Sequence, residues 1–350
     1  MLYGNAGSNL LDGGVGADIM LGGAGSDVYF VDNANDIVFE NANEGADVVL
    51  STAHFRLSDN VEALVLQGNA DLQGYGNSDA NVLFGNAGNN ILNGEGGADA
   101  MVGGAGNDIY FVDNASDAVF EYPGEGTDAA FSTAHFRLTD NVETLVLQGS
   151  ANLQGYGNAG ANTLYGNSGN NLLNGEGGAD RMVGGAGNDT YFVDNIGDIV
   201  LEALNDGTDA VFSTIDYTLT ANVETLVLQG IGDLTGTGNA LSNTLHGNAG
   251  NNTLNGGAGA DLLVGNAGND TFVFAAGQAN GDAIFDFVGN GAGPGDSLSF
   301  VGFGTAAQGA TFTQIGATNQ WTIHSGLDAH DEIITFMNGA PVHPTDFLFG

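Results

Sequence analysis

The sequence predicts an all-β fold, a right-handed parallel β-roll or β-solenoid of stacked nine-residue turns closed by a C-terminal β-rich cap. Two periodicities and one compositional fact carry that prediction. Asp18, Asp99, Asp180 and Asp261 stand 81 residues apart, and Asp27, Asp108, Asp189 and Asp270 repeat the interval without slippage, the mark of stacked copies of one unit. Inside each copy runs a period of nine, as in Gly94-Glu-Gly-Gly-Ala-Asp99-Ala-Met-Val and Gly103-Gly-Ala-Gly-Asn-Asp108-Ile-Tyr-Phe, which fits the nonapeptide pattern G-G-x-G-x-D-x-U-x. Sixty glycines would ordinarily argue for disorder, but hydrophobic residues make up 42 % of the chain and fall at fixed places, so glycine here serves the turns of an ordered chain.

Each element of the roll follows from one nonapeptide. Glycines at the first, second and fourth places permit positive φ, so six residues make a tight turn, and the three that remain allow only a short strand. In the second copy four such units run in register from Gly76, with Asn81, Asn90, Asp99 and Asp108 at the sixth place. A fifth, around Asp117, keeps the aspartate but has lost its glycines, a sixth, around Asp128, carries two extra residues, and Ser132 to Tyr156 reads as further, irregular coils. The eighth place holds Leu92, Met101, Tyr110 and Val119, which makes it the core position. Charged or amide residues at some seventh and ninth places (Arg181, Asp12, Asn93, Asn174) turn those two outward. Successive half-coils then lie on opposite sides, and turn n stacks on turn n+2: Asn81 on Asp99, Asn90 on Asp108, Asp99 on Asp117, Asp108 on Asp128. Residues 1–273 are read as the roll, in copies of about 4–75, 76–156, 157–237 and 238–273, and 274–350 as the cap. The start, Met1-Leu-Tyr-Gly-Asn, falls inside a repeat (compare Thr163-Leu-Tyr-Gly-Asn) and is expected to mark a fragment.

Charge bounds the function. Forty-two acidic residues face three arginines and no lysine, a formal net charge of -39. That self-repulsion opposes compaction unless cations neutralise it. Nucleic acid is excluded as a partner for want of a basic surface, anionic membranes are disfavoured, and no apolar run approaches the roughly 20 residues a membrane insertion needs. Cysteine is absent, so neither disulfides nor thiolate zinc sites contribute.

Stacked acidic turns offer carboxylate and backbone oxygens in a flexible arrangement, which suits calcium better than magnesium, zinc or copper. The expected ligands in the first copy are Asp18, Asp27, Asp36 and Asp47 with Asn9, and in the second Asp99, Asp108, Asp117 and Asp128 with Asn81 and Asn90. The third adds Asp180, Asp189, Asp198 and Asp209 with Asn162 and Asn171, and the fourth Asp261 and Asp270 with Asn243 and Asn252. The first glycines of the acidic turns, Gly13, Gly22, Gly94, Gly103, Gly175, Gly184, Gly256 and Gly265, join them through their backbone. Aspartate and asparagine also favour turns by bonding their own backbone. Eight turns combining the glycine spacing with aspartate favour the metal, whereas Asp117 and Asp128, which lack the glycines, stay open between the two roles. At calcium about ten times Kd each site contributes about 1.4 kcal/mol, so about ten sites rival the whole stability of an ordinary domain, and the chain is expected to fold where calcium is abundant.

These nonapeptides resemble the RTX (repeats-in-toxin, hemolysin-type calcium-binding) repeats, over about residues 4 to 273. The last segment, with Gly281-Asp-Ala-Ile-Phe-Asp-Phe, Gly295-Asp-Ser-Leu-Ser-Phe and the closing Asp346-Phe-Leu-Phe-Gly, is similar to the C-terminal region that follows such repeats. The resemblance implies a secreted, extracellular or cell-surface protein, export by the type I secretion machinery through an uncleaved C-terminal signal, and a cap role for that region. Its core candidates are Phe285, Phe287, Phe300, Phe303, Trp321, Ile323 and Phe336. Neither an H-E-x-x-H helix nor a G-x-S-x-G elbow is present. His54 and His135 recur in Ser-Thr-Ala-His-Phe-Arg-Leu, but the third copy has Asp216 there, which favours a structural role. The reading is a nonenzymatic calcium-binding scaffold, such as a stalk, adhesin, surface-layer or matrix module that meets cell-surface or matrix components. The rival is the noncatalytic RTX tail of a secreted hydrolase or epimerase. Ice or ligand binding by a flat face would need an outward threonine row, which the seventh and ninth places do not show.

Overall fold

A computed structural model describes residues 1–291 and 293–350. Strands are two to six residues long, and a single turn of 3-10 helix, Ala306–Gln308, interrupts them among the described residues. No helix there is long and apolar enough to cross a membrane. The chain divides into two units, Met1–Met182 and Val183–Gly350, each a β-solenoid of parallel strands.

In the first unit strands pair with the next but one, because consecutive half-coils lie on opposite faces, except where Ile37–Phe39 and Ala118–Phe120 end their sheets. Ile91–Glu95 lies parallel to Ile109–Val112, with Leu92 opposite Tyr110, while the intervening Ala100–Val102 lies between Val82–Phe84 and Ala118–Phe120 in the other sheet. Eighteen residues per coil thus emerge from two nonapeptides. The region Ser132 to Tyr156 continues the roll: Thr144–Leu147 pairs with Ala129–Ser132, and Phe136–Arg137 with Gln154–Tyr156. One copy, from Gln73–Asn77 through Thr144–Leu147, contains nine strands. Nine is odd, so equivalent strands of consecutive copies fall in opposite sheets: Val28–Val31 pairs within the seven-stranded sheet, its counterpart Ile109–Val112 in the facing one. The structural period is therefore two copies.

The eighth place is the core. Leu92, Met101, Tyr110 and Val119 are all fully buried. At Gly74 the chain leaves this place bare because a Cβ would press on Leu64, Leu66 and Leu92, whose larger side chains already fill the coil. The seventh and ninth places do face outward, but they are more apolar than the few charged examples imply: Phe30, Leu50, Val65, Phe84, Val102 and Phe120 form one column by register, and Phe111 stacks on Phe131 at 5.6 Å. Strand neighbours about 4.8 Å apart shield one another, so outward apolar columns are half-covered.

The second unit repeats this plan. Thr190–Val193, Ala210–Ser213, Thr225–Leu228, Thr244–His246, Leu262–Val264 and Ala283–Ile284 succeed one another in parallel. On the other face a short hydroxyl row contrary to expectation appears, Thr235, Thr253, Thr271 and Ser297. Thr235, Thr253 and Thr271 stand 18 residues apart, two nonapeptides each, and only Ser297, 26 residues on, breaks the interval, so the row is short but was open to view in the sequence. Beyond residue 274 the period changes. Thr311–Gln314, Gln320–His324 and Asp331–Phe336 form an antiparallel meander, and Phe347–Phe349 adds in parallel to Ser297–Val301. Phe287, Phe300, Phe303, Ile323 and Phe336 are buried, and the Trp321 ring stacks on Phe312 at 4.8 Å. Phe285 is the exception. It is 51 % exposed, because strand alternation from buried Ile284 turns it to the outer face.

Candidate metal sites

The turn Gly103 to Asp108 shows how a site is built. Gly104 at φ 87° and Gly106 at φ 129° occupy left-handed backbone that other residues adopt at a cost. Gly103 itself does not; it is required by space, since a Cβ there would collide with the Asp108 carboxylate, the Tyr110 hydroxyl and Glu121. The same collision with the turn's own aspartate excludes a side chain at Gly13, Gly22, Gly94, Gly175, Gly184, Gly256 and Gly265. The expectation of positive φ at the first place is thus replaced by one of close approach.

Sixth-place aspartate carboxylates in these columns accept a backbone N–H from the turn stacked before them. Asn90 donates its backbone N–H to Oδ1 of Asp108 at 2.6 Å, and Asp108 donates its own to Oδ1 of Asp128 at 2.7 Å. In the other column Asn81 donates to Asp99 at 2.7 Å and Asp99 to Asp117 at 3.0 Å. The pattern recurs from Asn9 to Asp27 to Asp47, from Asp18 to Asp36, from Asn162 to Asp180, and from Asp189 to Asp209. In the fourth copy it runs from Asn243 to Asp261 and from Asn252 to Asp270. The predicted n to n+2 stacking is what these bonds describe.

Asparagine and aspartate at the same place behave differently. Asn81 accepts the N–H of Asn77 at 2.7 Å and donates its amide to the Val61 carbonyl at 3.0 Å. Oδ1 of Asn9, Asn90, Asn162, Asn243 and Asn252 likewise accepts from its own turn, and the Asn171 side chain accepts from Asn167 at 2.7 Å. Aspartate has no donor to complete such a turn. Oδ2 of Asp27, Asp47, Asp99, Asp108, Asp128, Asp261 and Asp270 is buried with no partner, a costly state for a charged oxygen unless a cation reaches it. Asp36 and Asp117 are different again. The Asp117 Oδ2 accepts the N–H groups of Asp113 and Asn114 at 3.2 and 3.1 Å, and Asp36 does the same with Asp32 and Asn33. Asp198 accepts from Asp194 and Asn195 at 3.1 Å. These side chains secure turns that lack the first, second and fourth glycines of the nonapeptide.

The sequence reading missed several acids. Glu62, Glu143 and Glu224 accept the backbone N–H of Asp47, Asp128 and Asp209 at 2.7 to 2.8 Å. Asp282 and Asp296, both buried, take over the bridging role after Asp261 and Asp270, at 2.9 Å each. Glu40, Glu121 and Glu202 stand beside the acidic turns and bond Tyr29, Tyr110 and Tyr191. All of the glutamates recur at 81-residue spacing, a signal that lay outside the nonapeptide.

Electrostatics follow from this crowding. Burial, with neighbouring carboxylates adding to it, raises Asp108 to about 7, Asp99 and Asp128 to about 6 and Glu121 to about 8. Asp270 and Asp282 rise to about 7 for the same reasons. Groups held this far above the ordinary carboxylate range want either protons or metal ions. An all-oxygen donor set without imidazole or thiolate fits a hard cation of calcium's type. The histidines serve elsewhere: Nδ1 of His54 and His135 accepts the N–H of Gln73 and Gln154 at 2.9 Å, and Asp216 does so for Thr235 at 2.7 Å.

Four segments, residues 2–38, 75–110, 156–191 and 237–272, match the model of the RTX calcium-binding nonapeptide repeat. No curated protein matches the chain. The matched segments contain the glycine-rich acidic turns, among them those of Asp27, Asp99, Asp108, Asp261 and Asp270 with their unpartnered oxygens, so the chain carries RTX calcium-binding repeats, and calcium is the ion those repeats bind.

Proposed function

We propose that this chain is a noncatalytic scaffold, exported by a type I machinery and folded by the calcium it meets outside the cell, where it spaces or displays other modules as part of a stalk, adhesin, surface layer or matrix. The observation that carries the reading is the set of buried aspartate oxygens without partners in a chain of net charge -39. Without cations these groups oppose the fold; with calcium they hold successive coils together. Low cytosolic calcium would keep the chain extended for passage, and extracellular calcium would drive its folding. A scaffold role is supported by the fate of the recurrent histidines, which close coils through the backbone. The C-terminal strand Phe347–Phe349 closes the last coil, which supports a capping role for the segment that would also carry the export signal. Limited proteolysis tests the reading: calcium should protect the roll and chelator should expose it throughout, while equal resistance in both would refute calcium-dependent folding.

A further inference from the structure

Three acidic turns differ from the rest, and the difference lies beyond the nonapeptide. Asp27, Glu40 and Asp47 each present a carboxylate oxygen within 4.8 Å of the other two, as do Asp108, Glu121 and Asp128, and Asp189, Glu202 and Asp209. Oxygens bound to one calcium-sized ion at about 2.3 to 2.6 Å lie no farther apart than about 5 Å. The second and third members of each group fall after the matched segments, which end at 38, 110 and 191.

These carboxylates are enclosed. Asp27, Glu40 and Asp47 are 0, 3 and 1 % exposed, and Asp108, Glu121 and Asp128 are 1, 8 and 1 %. In both groups one oxygen of every member has no partner. Tyr29, Tyr110 and Tyr191 donate to Oε1 of the glutamate, which fixes its position as outer partners fix metal ligands. One hydroxyl proton cannot offset three acids. The fourth copy is an internal comparison: Phe272 replaces the tyrosine, and the nearest atoms to Gly265 belong to Asp270 and Phe272, with no glutamate among them. Tyrosine and glutamate are lost together, as parts of one device.

We propose that these three groups form a second class of cation site, one in each of the first three copies, and that they bind a trivalent lanthanide ion in preference to calcium. The proposal rests on the calcium reading above, since the sites form within the calcium-filled roll. Its physical basis is charge. Three carboxylates balance a trivalent ion, whereas turns with one or two aspartates do not, and Coulomb attraction scales with the product of the charges. Lanthanides share calcium's preference for oxygen and its tolerance of irregular geometry.

The test is a terbium titration of the full chain, folded in saturating calcium, with emission excited through tyrosine. Emission should break at three equivalents. Replacing all three glutamates (Glu40→Gln, Glu121→Gln, Glu202→Gln) should abolish the early phase; if that variant does not fold, Glu121→Gln alone should move the break to two. Replacing the three tyrosines with phenylalanine should keep the count at three while dimming the emission, and Asp140→Asn, at an exposed acid, should change nothing. A titration with no break at three, or a break that the glutamate changes leave in place, would overturn the proposal. If the parent gains no β structure in calcium, the calcium reading itself fails; a chain that folds in calcium but takes terbium at all turns alike overturns this inference only.

Discussion

Asp108 and Asp128 are joined by a 2.7 Å hydrogen bond from the backbone of the first to the carboxylate of the second, yet each keeps one buried oxygen with no partner. Backbone donors are used up in stacking the turns, and what remains is negative charge. At these two turns the backbone donor is satisfied and the carboxylate charge is not.

Calcium affinity should therefore track aspartate. Asp99→Ala and Asp108→Ala each remove an unpartnered oxygen and are expected to raise the calcium midpoint about tenfold, or about 1.4 kcal/mol. Asn81→Ala removes a side chain already satisfied by the Asn77 N–H and the Val61 carbonyl and should shift it about threefold or less. Calcium titrations of the three variants compare them, and equal shifts would contradict the division between the two residue types.

Gly103→Ala should destabilise the calcium-loaded roll by about 2 to 3 kcal/mol, because its Cβ would overlap the Asp108 carboxylate and Tyr110. Gly232→Ala, with no atom within 4 Å, should stay within about 0.5 kcal/mol of the parent. Thermal unfolding in fixed calcium measures both.

In chelator, acid should replace calcium. Glu121 and Asp108 titrate near 8 and 7 in the fold, against about 4 in an unfolded chain. The folded form holds the extra protons, so their stabilisation is full below about pH 4 and is lost as pH rises through about 7 to 8. With calcium present the sign reverses, because binding requires ionised carboxylates, and the calcium midpoint should rise as pH falls. Ellipticity followed from pH 8 to 4.5 should increase in chelator; a decrease would show that the carboxylates do not control the apo state.

The C-terminal segment should be needed for folding at low calcium. Ser297–Val301 covers Thr271–Ala275 along five residues, and deleting residues 275–350 would leave that edge open to association. The truncated chain should require more calcium and sediment as oligomers. Phe300→Ala should cost about 3 to 5 kcal/mol, since Phe300 lies within 4.9 Å of the rings of Phe312 and Phe349. Fluorescence of Trp321, the one tryptophan, reports that loss.

The stacking of Asn90 on Asp108 and of Asp108 on Asp128 was legible because a nine-residue period leaves one geometric choice once the eighth place is the core. Glu121 was not, because it follows Asp108 by 13 residues, at the start of a unit two residues longer than the nonapeptide, and only its recurrence as Glu40 and Glu202 marks it. Tyr110 was read correctly as core, but its hydroxyl partner depends on a neighbouring coil. The alternation of Val28–Val31 and Ile109–Val112 between sheets needed the number of strands in the region Ser51 to Tyr75, the first copy's counterpart of Ser132 to Tyr156, where short strands leave little periodic trace. Phe285 was misplaced by a single step of strand alternation.

The most direct test is a far-ultraviolet circular dichroism titration of the full chain from chelator into calcium, with magnesium at equal concentrations as the control and bound metal counted at the end point. The spectrum should pass cooperatively from coil to β with several calcium ions retained, and magnesium should leave it unchanged. A chain already folded in chelator at neutral pH, or folded equally by magnesium, would contradict the claim that calcium completes this fold.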